Sequence, residues 1–556
     1  MYSRVESSML FGIKTMEVCV EVDISNGMPM IDMVGYLGSE VKEAKERVKT
    51  ALHNCGISLP PKRITINLSP ANIKKSSTGF DLPIAVALLT SLGVLDKEKV
   101  EGHIFIGELS LNGDLMPING ILPMIVESLD SNKTFVVPKG NENEAKLISE
   151  SKVSSFTNLR EIIQFFNIEP LISKAYTSKK NSQKSSPNNS LKDSKEKNKM
   201  ETNLKSFLGE TKNITIINNQ NSNSELPDNE EKKMDFSDIN GQRILKRACE
   251  IAASGMHNML IVGPPGTGKT MISERMSTIM PPLNDEEKLE VSKVYSVCGL
   301  LKNKKKLLED RPFRNPHHTI TKAALAGGGI TPIPGEISLA HQGVLFLDEF
   351  TEFQKSTIEV LRQPLENKNI NLTRMNYNVT YPADFLLLAS MNPCNCGYYP
   401  NMQKCRCTPS TLKRYLNKLS QPILDRIDLT VFAPEVKFSE LVKKQKNETS
   451  YDIRQRVIRC QQIQYERYKD EPFYHNSQIP ANKLEKYVPL DDEQLEFMNK
   501  IYERDNLTAR TFHKLLRVIR TISDMDSQTC RFDSGIMDPS VYSCHLEISG
   551  VVKFKE

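Results

Sequence analysis

Eight residues constrain this chain more than any other feature: Gly263-Pro264-Pro265-Gly266-Thr267-Gly268-Lys269-Thr270. They follow the apolar run Met259–Val262, which reads as a buried parallel strand, and precede a helical stretch, MISERMSTIM. Strand, glycine-rich loop and helix in that order are the context a phosphate-binding P-loop needs. The glycines let backbone N–H groups wrap phosphates without a Cβ in the way, and the helix start adds its positive end. Lys269 is expected to reach the β- and γ-phosphates of ATP, and Thr270 to bind Mg²⁺ through its hydroxyl.

Two further apolar runs supply partners for that loop. Val344–Leu347 ends in Asp348, placed to hold the Mg²⁺ shell, and Glu349, able to polarise the attacking water. Leu386–Ala389 leads to Asn392, a polar group that could orient the water or sense the γ-phosphate. Arg426, within Ile423–Asp428, and Arg510, at the start of a helical stretch, could neutralise charge developing in the transition state. Spacing alone equally allows each a surface ion pair.

At 556 residues the chain is too long for one hydrophobic core, and roughly three to four structural units are expected. The net charge of +5 is spread along the chain and does not by itself argue for nucleic acid. The longest apolar run, Leu82–Leu95, is interrupted by Pro83, Thr90 and Ser91 and falls short of the roughly 20 residues a bilayer requires. The N-terminus carries charge early and lacks the apolar core of a secretory signal. With eleven mostly scattered cysteines, the chain reads as a reduced, cytosolic protein.

From about Ser173 to Lys233, Lys, Ser, Asn and Glu dominate, the composition of a disordered linker; Ile214–Ile217 is a short apolar island within it. Before the linker, periodicity predicts strands at Met16–Ile24 and Arg63–Leu68 and a helix over Glu40–Asn54 that stops at Gly56. A second helix is expected to begin at Asp81, acting as N-cap, with later strands at Ile104–Ile106 and Thr134–Val137. Beyond about Glu435 the chain turns helical and charged.

Cys394, Cys396, Cys405 and Cys407 form a paired C-x-C cluster. Four thiolates could bind Zn²⁺ tetrahedrally and stiffen the loop after Asn392. The spacing is tighter than the common C-x₂-C knuckle, and four reduced cysteines in a turn-rich loop are the competing reading.

The segment Asp235–Ser523 resembles the ATPase module of magnesium-chelatase-like AAA+ proteins of the ComM/YifB type. The residues that carry the resemblance are DFSDINGQ from Asp235, the P-loop, RPFRNPHHTIT from Arg311, GGG from Gly327, PGEISLAHQGVLFLDE from Pro334, MNPCNCGYYP and LDRIDL. MVGYLGSEVKEAKERVKTALHNCG, PKRITINLSPANIKK and GFDLPIA extend it through the N-terminal half. It implies an α/β fold: a P-loop AAA+ core of parallel sheet flanked by helices, with a helical lid, behind a Lon-protease-like α/β domain. The expected divisions are 1–172 for that domain, 173–234 for the linker, 235–434 for the core, 435–525 for the lid and 526–556 for a divergent tail.

The resemblance further implies that Arg426 is an arginine finger acting on a neighbouring subunit's ATP, Arg510 a second sensor and Asn392 a first sensor. It implies a ring, usually a hexamer. The long interval before Asp348 leaves room for an inserted element, Arg311–Gly335, and a hairpin is expected over Asn367–Tyr381. In related motors such insertions face a central pore. Lys368 and Arg374 are therefore candidate DNA contacts, although ordinary solvated charge is the plainer reading of each.

In the N-terminal domain, Lys75-Ser76-Ser77-Thr78-Gly79 offers a hydroxyl where a Lon-type protease has its nucleophile, but Leu122 stands where the activating lysine would be. A non-catalytic domain is expected. The implied activity is an ATP-driven DNA motor promoting branch migration during recombination in natural transformation. The alternatives are an ATPase subunit of a metal-chelatase complex and an ATP-dependent protease, the latter disfavoured by Leu122. The tail after Asp526 departs from the family pattern.

Overall fold

The computed structural model describes residues 1–167, 234–301, 304–329, 332–374, 377–435 and 447–526. The expected linker up to Lys233, its apolar island at 214–217, and the tail beyond Asp526 lie outside these residues. The chain divides into two compact units, one built mainly from the N-terminal third and one mainly from Lys233 onward.

The first unit holds a seven-stranded mixed sheet. Its strands run in the order Met30–Val34, Arg63–Ser69, Lys14–Ser25, Tyr2–Phe11, His103–Phe105, Thr134–Pro138 and Lys152–Phe156. The helix Ser39–Asn54 buries Val41, Ala44, Val48, Ala51 and Leu52, the face its spacing predicts. The helix Asp81–Ser91 is apolar nearly all round and lies in the core, which explains an apolar run too short for a membrane. No described helix is long and apolar enough to cross a membrane.

Asp81 corrects one expectation. It is the first residue of its helix, and its buried carboxylate accepts two hydrogen bonds from Arg47, at 2.7 and 2.9 Å, and one from the Leu109 N–H. Ser77 is the residue that caps, accepting from the Gly79 N–H. A carboxylate with no exposed surface needs a charged partner more than a helix start needs a cap.

The second unit is built on a five-stranded parallel sheet in the order Phe313–Arg314, Val344–Leu347, Leu386–Met391, Met259–Val262 and Leu429–Phe432. Both faces are covered. Met259, Ile261, Val344, Phe346, Leu386 and Leu388 enter one core, while Leu260, Val262, Leu345, Leu347, Leu387 and Ala389 enter another. This is why these strands read as unbroken apolar runs.

An antiparallel hairpin, Asn369–Arg374 with Tyr377–Pro382, leaves the sheet's helical layer, and a short pairing of Gly327–Gly328 with Ile333–Pro334 lies within the inserted element. The C-terminal segment consists chiefly of the helices Ser450–Tyr468, Asp492–Arg504 and Ala509–Asp526 around Tyr468, Phe473, Leu515, Leu516 and Ile519. Arg467 and the buried Asp524 lock the first and last of these by a two-pronged ion pair at 2.7 and 2.6 Å.

Candidate nucleotide site

The strand register brings three loops to one edge of the sheet. Val262 pairs with Met391 on one side and Phe432 on the other, and Leu347 pairs with Ala389. The segments that follow, Gly263–Thr270, Asp348–Glu349 and Asn392, therefore leave at the carboxyl ends of adjacent strands, where open α/β sheets bind ligands.

Within the loop, Gly266 and Gly268 have φ of +78° and +81°, backbone that only glycine adopts without strain. Gly263 is required for a different reason: a Cβ there would lie 2.6 Å from the Ala433 carbonyl oxygen. Pro264, Pro265 and Thr267 complete the turn, with the Thr267 hydroxyl donating to the Pro264 carbonyl at 2.9 Å. The helix after it is shorter than its sequence suggests. It runs from Lys269 to Glu274, breaks at Arg275 and resumes over Met276–Ile279.

Lys269 donates to the carbonyls of Gly263 and Pro264 at 2.8 and 2.9 Å and to the Asn392 side-chain oxygen at 3.2 Å. Burial pulls its pKa down, partly opposed by Asp348 and Glu349. The Thr270 hydroxyl donates to Asp348 at 2.7 Å, and Ser390 and the Glu349 N–H satisfy the other Asp348 oxygen. A hydroxyl and a carboxylate meeting at the strand end are the hard oxygen donors that Mg²⁺ prefers. Asn392 is fixed from behind, its carbonyl accepting from Tyr415, whose hydroxyl also takes a hydrogen bond from Thr351.

Three residues in this neighbourhood had no individual role in the sequence reading. Gln242, at φ +51°, donates to the carbonyls of Thr267 and Pro434 and ties the loop to the chain after the last strand. His318 lies 3.3 Å from the Glu349 carboxylate and links the inserted element to the acidic pair. Its only sequence signal was the adjacent histidines of the RPFRNPHHTIT motif. Glu366 bonds both Arg426 and Arg510.

Those two arginines form a separate cluster. Among the described residues, neither forms a hydrogen bond or ion pair with Lys269, Thr270, Asp348, Glu349 or Asn392. The Arg426 turn is anchored by Asn258, whose amide donates to the Arg426 carbonyl at 2.9 Å, and by Lys514 of the lid, which donates to Leu424 and Ile427 carbonyls. Of the two candidate DNA-contact residues, Lys368 is engaged with Asp384 at 2.9 Å at the base of the hairpin, while Arg374 is exposed toward its tip.

The four cysteine sulfurs lie within 4.8 Å of one another. Three of the sulfur–sulfur separations, 3.2, 3.5 and 3.8 Å, lie at or somewhat below the roughly 3.8 Å expected between sulfurs tetrahedrally disposed at about 2.3 Å from Zn²⁺. The Tyr398 backbone N–H, with Cys394, pulls the Cys396 thiol down to about 6, while the hydrogen bonds that Cys405 makes to Cys396 and Cys394 contribute to pushing its thiol up. This loop touches the P-loop: a Cβ on Gly397 would lie 2.7 Å from Pro265 Cδ.

Replacing Gly263 tests the loop's close packing. Gly263→Ala is expected to cost about 1–3 kcal/mol of stability and to abolish stabilisation by added nucleotide, both read by thermal unfolding with and without ATP and Mg²⁺. An unchanged midpoint with a full nucleotide response would contradict the packing argument.

Comparison with known proteins extends the picture over nearly the whole chain. Residues 235–441 match the family model described as magnesium chelatase, subunit ChlI; residues 447–533 match the ChlI C-terminal model; residues 20–141 match a model described as subunit ChlI of Mg-chelatase. The competence protein ComM of Haemophilus influenzae is 36% identical over 550 residues, covering 98% of this chain and 97% of the relative. YifB of Salmonella typhimurium is 35% identical over 523 residues, 94% of this chain and 93% of its own length. The magnesium-chelatase 67 kDa subunit of Heliobacterium mobile is 25% identical over 183 residues, only 28% of this chain. The P-loop sheet, the carboxylate strand and this end-to-end similarity place the chain in the magnesium-chelatase-like AAA+ ATPase family, among its ComM/YifB-type members.

Proposed function

We propose that the chain hydrolyses ATP as a ring-forming motor, in the hexameric arrangement usual for the family, and acts on DNA in the cytoplasm, promoting branch migration during recombination. The observation that carries the ring reading is the division of labour within one chain. Lys269, Thr270, Asp348 and Asn392 are hydrogen-bonded together, while Arg426 and Arg510 meet at Glu366. A site whose cations sit apart from its phosphate loop is completed when a second copy supplies them.

In this reading the P-loop backbone and Lys269 hold the phosphates. Thr270 and Asp348 hold Mg²⁺, which neutralises phosphate charge when bound. Glu349 takes a proton from the attacking water, Asn392 orients that water, and Arg426 and Arg510 of the adjoining copy stabilise charge on the γ-phosphate. Arg510, expected as a second sensor acting from the helical lid, is read here together with Arg426, with which it shares Glu366.

DNA is supported by the match to a competence protein over 98% of the chain and by the exposed Arg374 near the hairpin tip. The chelatase alternative draws on the ChlI descriptions, which extend over residues 20–141, so the N-terminal unit does not by itself set this chain apart from chelatase subunits. The protease alternative finds no support: Leu122 is buried and cannot carry a proton, and Lys75 is buried with its ammonium on the Pro70 carbonyl.

ATP hydrolysis measured with and without single-stranded and branched DNA tests the motor. DNA is expected to stimulate hydrolysis severalfold, and Glu349→Gln to lose both basal and stimulated rates by roughly 100-fold or more while still binding ATP. Hydrolysis indifferent to DNA would sink the DNA reading and leave a protein or porphyrin partner.

The four cysteines are proposed to hold a structural Zn²⁺ that braces the loop between Asn392 and Pro265. Metal analysis of the purified chain is expected to give about one zinc per chain, lost in Cys405→Ser. Four freely titrating thiols and no zinc would favour the reduced-cysteine reading.

A further inference from the structure

Arg426 and Arg510 are far apart in sequence, one after the α/β sheet's sensor strand and one in the lid, yet they share a single carboxylate oxygen. Glu366 Oε1 accepts a hydrogen bond from Arg426 Nη2 and another from Arg510 Nη2, the latter at 3.2 Å. Arg510 also lies 3.8 Å from Asp425. The two guanidiniums differ in freedom. The Arg426 side chain is 8% exposed, has its other terminal nitrogen on the Pro422 carbonyl, and leaves its Nε without a partner. The Arg510 side chain is 51% exposed.

Two like charges brought together repel, and the exposed Arg510 is held by Glu366 and, at longer range, by Asp425. Burial disfavours the charged form of Arg426, Arg510 and Arg362 push the same way, and Glu366 is the leading opposing influence. Arg362 has its own partner, Glu359, at 3.3 Å. Glu366, with a smaller contribution from Asp425, therefore compensates the Arg426–Arg510 pair. An oxygen contacted by both guanidiniums also marks a point where an anionic phosphate oxygen would be received by both.

We propose that Glu366 is a positioning residue that keeps Arg426 and Arg510 convergent until a phosphate oxygen of the adjoining copy's nucleotide takes its place. This rests on the reading that the two arginines serve a neighbour's ATP. Glu366 also stands at the root of the hairpin. It lies on the helix Arg362–Asn367, which ends at Lys368 in left-handed backbone, φ +58°, and passes directly into the strand Asn369–Arg374. The Lys368–Asp384 ion pair and the Ala383 N–H to Lys368 carbonyl bond fix the hairpin base against that helix end. The hairpin base and the carboxylate that gathers the arginines thus lie at the same helix end.

Steady-state ATP hydrolysis by Glu366→Gln, Arg510→Ala, Arg426→Ala and the double variant Glu366→Gln/Arg510→Ala tests this, using the full chain. Glu366→Gln keeps the shape and removes the charge. Its kcat is expected to fall about 10-fold with KM for ATP unchanged, because the phosphate loop is untouched. Positioning through Arg510 predicts non-additivity: the double variant is no slower than Arg510→Ala alone. Parental kcat in Glu366→Gln, or fully additive losses in the double variant, overturns the proposal while the arginine reading stands, provided both arginine variants are impaired. Parental kcat in both arginine variants overturns the arginine reading and this inference with it.

Discussion

Everything at the nucleotide edge depends on the alignment of three parallel strands. Met259–Val262, Leu386–Met391 and Val344–Leu347 pair in a register that ends them together, and their side chains fill cores on both faces. That burial holds the strand ends to within a hydrogen bond of one another, so Lys269 reaches Asn392 and Thr270 reaches Asp348. Slipping one strand by a residue would exchange its two faces and carry its functional side chain away from the others. The site is thus a consequence of apolar packing beneath it, and the polar groups above are satisfied by each other and by the loop's own carbonyls.

Around that edge the chain places supports that reach it from distant segments. Tyr415 holds the Asn392 backbone, Gln242 holds the Thr267 carbonyl, and Gly397 packs the cysteine loop on Pro265. His318 sits on Glu349 from the inserted element, whose Pro332 carbonyl accepts from Tyr381 of the hairpin. Glu349 and the hairpin are thus each contacted by a residue of the inserted element.

The strands and the loop were legible because their signals are local. Short apolar runs ending in glycine, in Asp348-Glu349 or in Asn392 admit few other structures, and the periodicity of Glu40–Asn54 matches its buried face residue for residue. The hairpin and the helical character of the C-terminal segment were legible in outline for the same reason. What stayed hidden depends on pairing between remote residues. Asp81 looked like a cap because nothing in the sequence announces Arg47 as its partner. Lys368 looked free until Asp384 came beside it. Glu366 stood in a helix with no motif, and only the meeting of the sheet's last turn with the lid shows that Arg426 and Arg510 converge on it.

The central claim is that a working site needs two copies, one offering Lys269 and Glu349 and the other offering Arg426 and Arg510. Mixing Lys269→Ala chains with Arg426→Ala chains tests it directly by ATP hydrolysis. Each variant alone is expected to be inactive. The mixture is expected to regain a substantial part of the parental rate, since an intact phosphate loop on one copy can meet an intact arginine on the other. A mixture that remains as inactive as its components, although the two variants co-assemble, would contradict the claim and place both halves of the site within one chain.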